Sequence, residues 1–102
     1  MTIDEIIDAA RSRENDLKLL NHSVLFDLEN DGKILLDASG DGLKITRNPQ
    51  NDEAETTLIL SKEDMKELIT GDLSPMVAFT MGKVKVLGSK GVALKLSGLL
   101  EN

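Results

Sequence analysis

The stretch that decides the fold runs Leu58-Ile59-Leu60-Ser61-Lys62-Glu63-Asp64-Met65-Lys66-Glu67-Leu68-Ile69-Thr70-Gly71-Asp72-Leu73-Ser74-Pro75-Met76-Val77-Ala78-Phe79-Thr80-Met81-Gly82-Lys83-Val84-Lys85-Val86-Leu87-Gly88. It opens inside a short β-rich run, Thr56 to Leu60, and then changes period. Ser61 places a capping hydroxyl three residues before Asp64, and Met65, Leu68 and Ile69 follow at helical spacing until Gly71. Ser74-Pro75 puts a cap and a first-turn proline before a second run, Met76 to Met81, closed by Gly82. That run is apolar almost all round, so the spacing predicts a helix buried on several sides or lining something apolar. Lys83-Val84-Lys85-Val86-Leu87 alternates strictly and predicts a strand ending at Gly88.

Upstream, short apolar segments around Val24–Leu28, Ile34–Leu36 and Leu43–Ile45 are separated by Asn30-Asp31-Gly32 and Ser39-Gly40-Asp41-Gly42, which predicts three strands joined by tight turns. Thr2, Glu5 and the stripe Ile3, Ile6, Ile7, Ala10 predict a capped amphipathic helix. Leu17 and Leu20 extend it either as one long helix or as two with a kink. Downstream, Val92 to Leu96 fits strand or helix equally by period. The chain of 102 residues is read as one α+β domain: a helical segment over 1–21, strands over 23–60, then helices and the fifth strand over 61–102.

Net charge is −6, with −9 over residues 1–72 and +4 over residues 73–100, where four lysines stand without an acid. An acidic chain with two phenylalanines and no Tyr or Trp lacks the basic field and stacking surface of a nucleic-acid binder. No run approaches the length of a membrane span, and the N-terminus lacks a secretory pattern, so a cytoplasmic protein without integral membrane association is expected. Cysteine is absent and agrees with a reducing compartment. His22 is the only imidazole, no serine sits in a Gly-x-Ser-x-Gly elbow, and no catalytic residue is assigned. Asp37-x-Ser39-x-Asp41-Gly42 imitates the start of a calcium loop, but Asn48 stands where a bidentate glutamate belongs, so a hairpin turn is expected and no metal site. Neither a dinucleotide fingerprint nor a phosphate loop is present, and no cofactor is expected. What remains is an apolar surplus of fifteen residues among the twenty-eight of 73–100, either core or the wall of a cavity.

The order strand, Ser-x-x-Asp helix, glycine, Pro-x-x-Ala-Phe helix, Gly-Lys, alternating strand, glycine over 58–88 resembles the type-two sterol carrier protein family, the non-specific lipid transfer proteins. Leu94-Lys95-Leu96 is similar to the family's closing segment. The resemblance implies a five-stranded, mainly antiparallel sheet, helices over one face, an apolar tunnel between them, and a final helix. It further implies non-catalytic carriage of a sterol, fatty acid or fatty acyl-CoA, and a monomer or weak homodimer is expected. Candidate lining residues are Met65, Leu68, Ile69, Met76, Val77, Phe79, Met81, Val84, Val86, Val92, Leu94, Leu96 and Leu99, with Lys90 for the head group. The chain departs from the family at Ser89, where an acid is usual. The second reading is an accessory module whose groove takes a protein partner or a second copy.

Overall fold

The computed structural model describes residues 2–51 and 53–101. Helix α1, Ile3–Arg11, begins with the expected reciprocal cap: the Glu5 N–H donates to Thr2 Oγ1 at 3.2 Å and the Thr2 N–H donates to Glu5 Oε1 at 3.0 Å. Its buried face is Ile3, Ile6 and Ala10. The chain then breaks at Ser12 and Arg13, and a short helix α2, Glu14–Leu17, runs into a 3₁₀ turn over Lys18–Leu20. Of the two N-terminal alternatives, the kinked pair is the observed one. The break places the Arg13 guanidinium against the carbonyls of Ile69 (3.1 Å), Leu100 (3.1 Å) and Leu99 (3.3 Å), and so it ties the N-terminal segment to the ends of two later helices.

The sheet has the strands β1 Ser23–Asp27, β2 Lys33–Asp37, β3 Lys44–Arg47, β4 Thr56–Ile59 and β5 Lys85–Gly88, in the order β3-β2-β1-β4-β5. Three neighbouring pairs are antiparallel and the β1·β4 pair is parallel. The register puts Phe26 beside Ile34 and Leu58, and Leu58 beside Val86, so these alternate residues turn one face towards the helices. Leu25, Leu35, Thr57 and Leu87 form a matching row on the opposite face, which no helix covers.

Helix α3, Lys62–Thr70, is capped by Ser61 Oγ, which accepts the Asp64 N–H at 3.0 Å, and ends at Gly71 with φ +87°. Helix α4, Pro75–Thr80, differs from expectation in two ways. Ser74 makes no side-chain cap bond, so the helix start rests on Pro75 in the first turn and on the Ser74 carbonyl, which takes the Ala78 N–H. Only Pro75 and Ala78 are buried, while Met76, Val77 and Met81 face solvent instead of being enclosed. The fifth strand starts at Lys85, two residues later than its alternation predicts, because the Lys83 N–H is taken by the Ala78 carbonyl at 2.9 Å and closes the turn after α4. Helix α5, Lys90–Leu100, resolves the last segment as helical, and Ser89 Oγ caps it by accepting the Val92 N–H at 3.2 Å. Ser89 thus does the capping that an acid at this position also performs.

Gly88 makes the corner between β5 and α5. Its φ is +93°, and a Cβ there would stand 2.9 Å from the Glu55 carbonyl oxygen and 3.3 Å from Thr56 Cα, both backbone atoms. Gly88→Ala is expected to cost about 2 kcal/mol of stability by combining left-handed strain with that collision. A urea melt reads the change as a lower midpoint at unchanged slope.

Candidate functional site

The described residues show no open tunnel between sheet and helices where one is expected. Phe26 and Leu58 from the sheet, Leu68 from α3, Pro75 and Phe79 from α4 and Ala93 and Leu96 from α5 meet there around a gap of about 10 Å³. The physical reason is the cost of empty apolar space, about 24 cal/mol per Å³. At that rate an open chamber of ~300 Å³ would cost about 7 kcal/mol, of the order of a small domain's whole stability. Apolar space is present instead at the surface directly outside this gap.

There, a groove of about 230 Å³ lies between α4, β5 and α5, walled by Met76, Phe79, Val86, Lys90, Ala93 and Leu94. Lys90 is the one charged wall residue. Phe79 and Ala93 border both the groove and the closed gap, so they form the partition between surface and interior. The local chain explains the arrangement. Proline and the short turn after Gly82 limit α4 to six residues, too few to bury more than one narrow stripe. Val86 points to the helix side because its register partner Leu58 does. Lys90, Ala93 and Leu94 share one face of α5 by their three- and four-residue spacing.

Of the residues singled out from sequence, Met76, Phe79, Val86, Leu94 and Lys90 come together in the groove. Leu68 and Leu96 lie beneath it in the closed gap. Met65, Ile69, Val84 and Val92 are buried in the core, Leu99 packs against its edge, and Val77 and Met81 stand exposed outside the groove. Ala93 was not anticipated, since a small side chain gives no periodic signal of its own. Its place follows once α5 is known to start at Lys90.

Two polar clusters elsewhere, around Glu55 and Asp37, are engaged in structural bonds. His22 Nδ1 lies 3.0 Å from both carboxylate oxygens of Glu55. That hydrogen bond, followed by the one from the Ser23 N–H, holds the Glu55 carboxyl below its ordinary range. The Ser39 hydroxyl and N–H both donate to Asp37, whose carboxyl is lowered by those bonds, as in a turn whose acid serves its own backbone. Among the described residues no group of three His, Cys, Asp or Glu side chains is placed to hold a metal ion, and no helix is long and apolar enough to cross a membrane.

An α+β fold with helices on one face of a β3-β2-β1-β4-β5 sheet has known members. The SCP-2 sterol transfer family matches residues 3–101, and the chain belongs to that family. Among curated relatives, hydroxysteroid dehydrogenase-like protein 2 of Rattus norvegicus is 32% identical over 72 residues, covering 71% of this chain and 14% of the relative. Sterol carrier protein 2 of Bos taurus is 38% identical over 52 residues, covering 50% of this chain and 10% of the relative. The chain therefore spans only a small part of the length of these relatives. Among solved structures, the sterol carrier protein domain 2 of Helicoverpa armigera superposes with a TM-score of 0.73 at 29% identity, over 95% of this chain and 83% of that one. Palmitated SCP2L2 of Aedes aegypti superposes with a TM-score of 0.80 at 19% identity, over 100% and 96% of the two chains, a likeness of fold.

Proposed function

We propose that this chain binds one apolar lipid, a fatty acid, fatty acyl-CoA or sterol-like molecule, without converting it chemically. The observation that carries the reading is the groove, in which five apolar side chains surround an opening separated from the core by Phe79 and Ala93 alone. A lipid tail enters over Met76, Val86 and Leu94 and then parts Phe79 from Ala93 to reach Leu68 and Leu96. Helix α4 is suited to yield, because its hold on the core consists of Pro75, Ala78 and the partly buried Phe79. Each methylene taken from water contributes about 0.8 kcal/mol, so about eight of them gain roughly 6 kcal/mol before ordering costs. Lys90 stands at the groove wall beside the first turn of α5, where a carboxylate or phosphate head group meets both the ammonium and the helix N-terminus. Membership of a sterol transfer family supports the ligand class, as does the palmitated state of the Aedes aegypti neighbour.

The test is thermal unfolding with palmitate. At a hundredfold excess over Kd, binding to the folded form alone adds about 2.7 kcal/mol, which raises the Tm of a chain of this size by about 10 °C or more. Hexanoate at the same concentration is expected to raise it far less. A second reading, in which the groove seats a protein segment, draws support from the half-exposed Met76 and Leu94. That reading predicts no rise with either acid.

A further inference from the structure

Three methionines lie among the described residues, and they differ sharply in surroundings. Met65 is 1% exposed in the core, whereas Met76 on α4 and Met81 at its C-terminal cap are 48% and 62% exposed. A thioether is oxidised according to its access to the oxidant, so peroxide that spares Met65 reaches the other two. Of the three, Met76 alone stands in the groove wall, beside Phe79, Val86, Lys90, Ala93 and Leu94. Five of these six wall residues are apolar, and Lys90 offers the one side-chain donor. The helix backbone at Met76 is held by its own bonds, its carbonyl accepting the Thr80 hydroxyl at 2.9 Å. A change at the sulfur is therefore felt in the groove and not in the helix.

We propose that Met76 is a reversible oxidation site at which hydrogen peroxide closes the groove to lipid. The sulfur lone pair attacks one peroxide oxygen; an S–O bond forms as the O–O bond breaks, and with proton transfer to the departing oxygen, water leaves. Sulfur is oxidised and peroxide reduced. The sulfoxide carries a polar acceptor oxygen on a side chain that a lipid tail has to cover. Under the tail and without a donor, that oxygen loses its water and gains nothing in return. Turned to Lys90 instead, it takes the one wall donor that a carboxylate head group needs. Either arrangement weakens binding, by about tenfold. The unoxidised thioether has neither effect, and its flexibility suits it to an irregular apolar tail. Bound lipid in turn covers Met76, so occupancy of the groove and oxidation of this sulfur exclude each other. The inference rests on the lipid-binding reading and adds a control to it, since an oxidised chain stays empty until the sulfoxide is reduced.

Treatment of the full chain with hydrogen peroxide tests it, with peptide mass mapping of each methionine and calorimetric titration of palmitate. Met76 and Met81 are expected to oxidise at least about tenfold faster than Met65. Saturating palmitate is expected to slow oxidation of Met76 several-fold and to leave Met81 unchanged. After treatment the palmitate affinity of the wild-type chain and of Met81→Leu is expected to fall about tenfold, and methionine sulfoxide reductases with a thiol are expected to restore it. Met76→Leu is compared with itself before and after treatment, and its affinity is expected to hold. A wild-type chain that carries Met76 sulfoxide and binds palmitate as tightly as before overturns the proposal. An equal loss in Met76→Leu, or a Met76 that palmitate does not shield, overturns it as well. Loss of affinity only where Met65 is oxidised assigns the effect to the core and likewise overturns it. Palmitate bound by neither the untreated nor the treated chain removes the lipid-binding reading itself, and this proposal with it.

Discussion

Arg13→Ala is expected to lower the stability of the fold by about 3 kcal/mol, a loss of roughly 12–24 °C in Tm for a chain of this length. The Arg13 side chain is 17% exposed and donates to the carbonyls of Ile69, Leu99 and Leu100, the last turns of α3 and α5. Helix ends leave carbonyls without intrahelical partners, and a cation beside them also opposes the negative end of each helix. Removing the guanidinium therefore strands several partly buried acceptors at once and unties the N-terminal segment from both helices. Its ion pair with Asp16, at 4.0 Å and largely exposed, adds little. Arg13→Lys is expected to recover only part of the loss, because one ammonium does not span two helix ends in the way a planar fork does. Arg11→Ala serves as the control: Arg11 is half-exposed and reaches the single Leu43 carbonyl, so it is expected to cost under about 1 kcal/mol. Chemical denaturation of the three variants reads the order directly, and an unchanged midpoint for Arg13→Ala contradicts the bridging role.

Ala93→Leu is expected to weaken palmitate binding about a hundredfold while leaving the fold intact. Ala93 forms the partition with Phe79, facing the closed gap of about 10 Å³ on one side and the groove of about 230 Å³ on the other. The larger side chain has room on the groove side, so its overpacking cost is about 1 kcal/mol or less. In that position it fills the passage and denies a lipid tail three or four buried methylenes, worth about 3 kcal/mol. Calorimetric titration checks the affinity, and the variant's own melt checks the fold. Hexanoate, which has little tail to place beyond the partition, is expected to lose much less. Undiminished palmitate affinity places the tail somewhere other than behind Phe79.

The elements that could be read from the sequence are those whose signals are local. The turns Asn30-Asp31-Gly32 and Ser39-Gly40-Asp41-Gly42 separate β1, β2 and β3, and the Thr2 and Ser61 caps mark α1 and α3. The parallel pairing of β4 with β1 depends on how a distant strand docks, which no local residue states. The polar interruption at Arg13 is visible as a break in the apolar stripe, yet its meaning lies 56 and 87 residues away at Ile69 and Leu100. Segment 92–96 is ambiguous because its apolar spacing satisfies both periods; the Ser89 cap and the Gly88 corner settle it as helix. At the site, Met76, Phe79, Val86, Leu94 and Lys90 carried signals of their own. Ala93 did not, and the exposure of Val77 and Met81 follows from the small buried stripe of α4, a property of packing and not of composition.

The central claim is that this fold takes up one long apolar molecule. Native mass spectrometry after incubation with a mixture of fatty acids of graded length tests it most directly. The account predicts a one-to-one complex whose occupancy rises with chain length and which Ala93→Leu suppresses. A chain that stays bare across the whole mixture contradicts it.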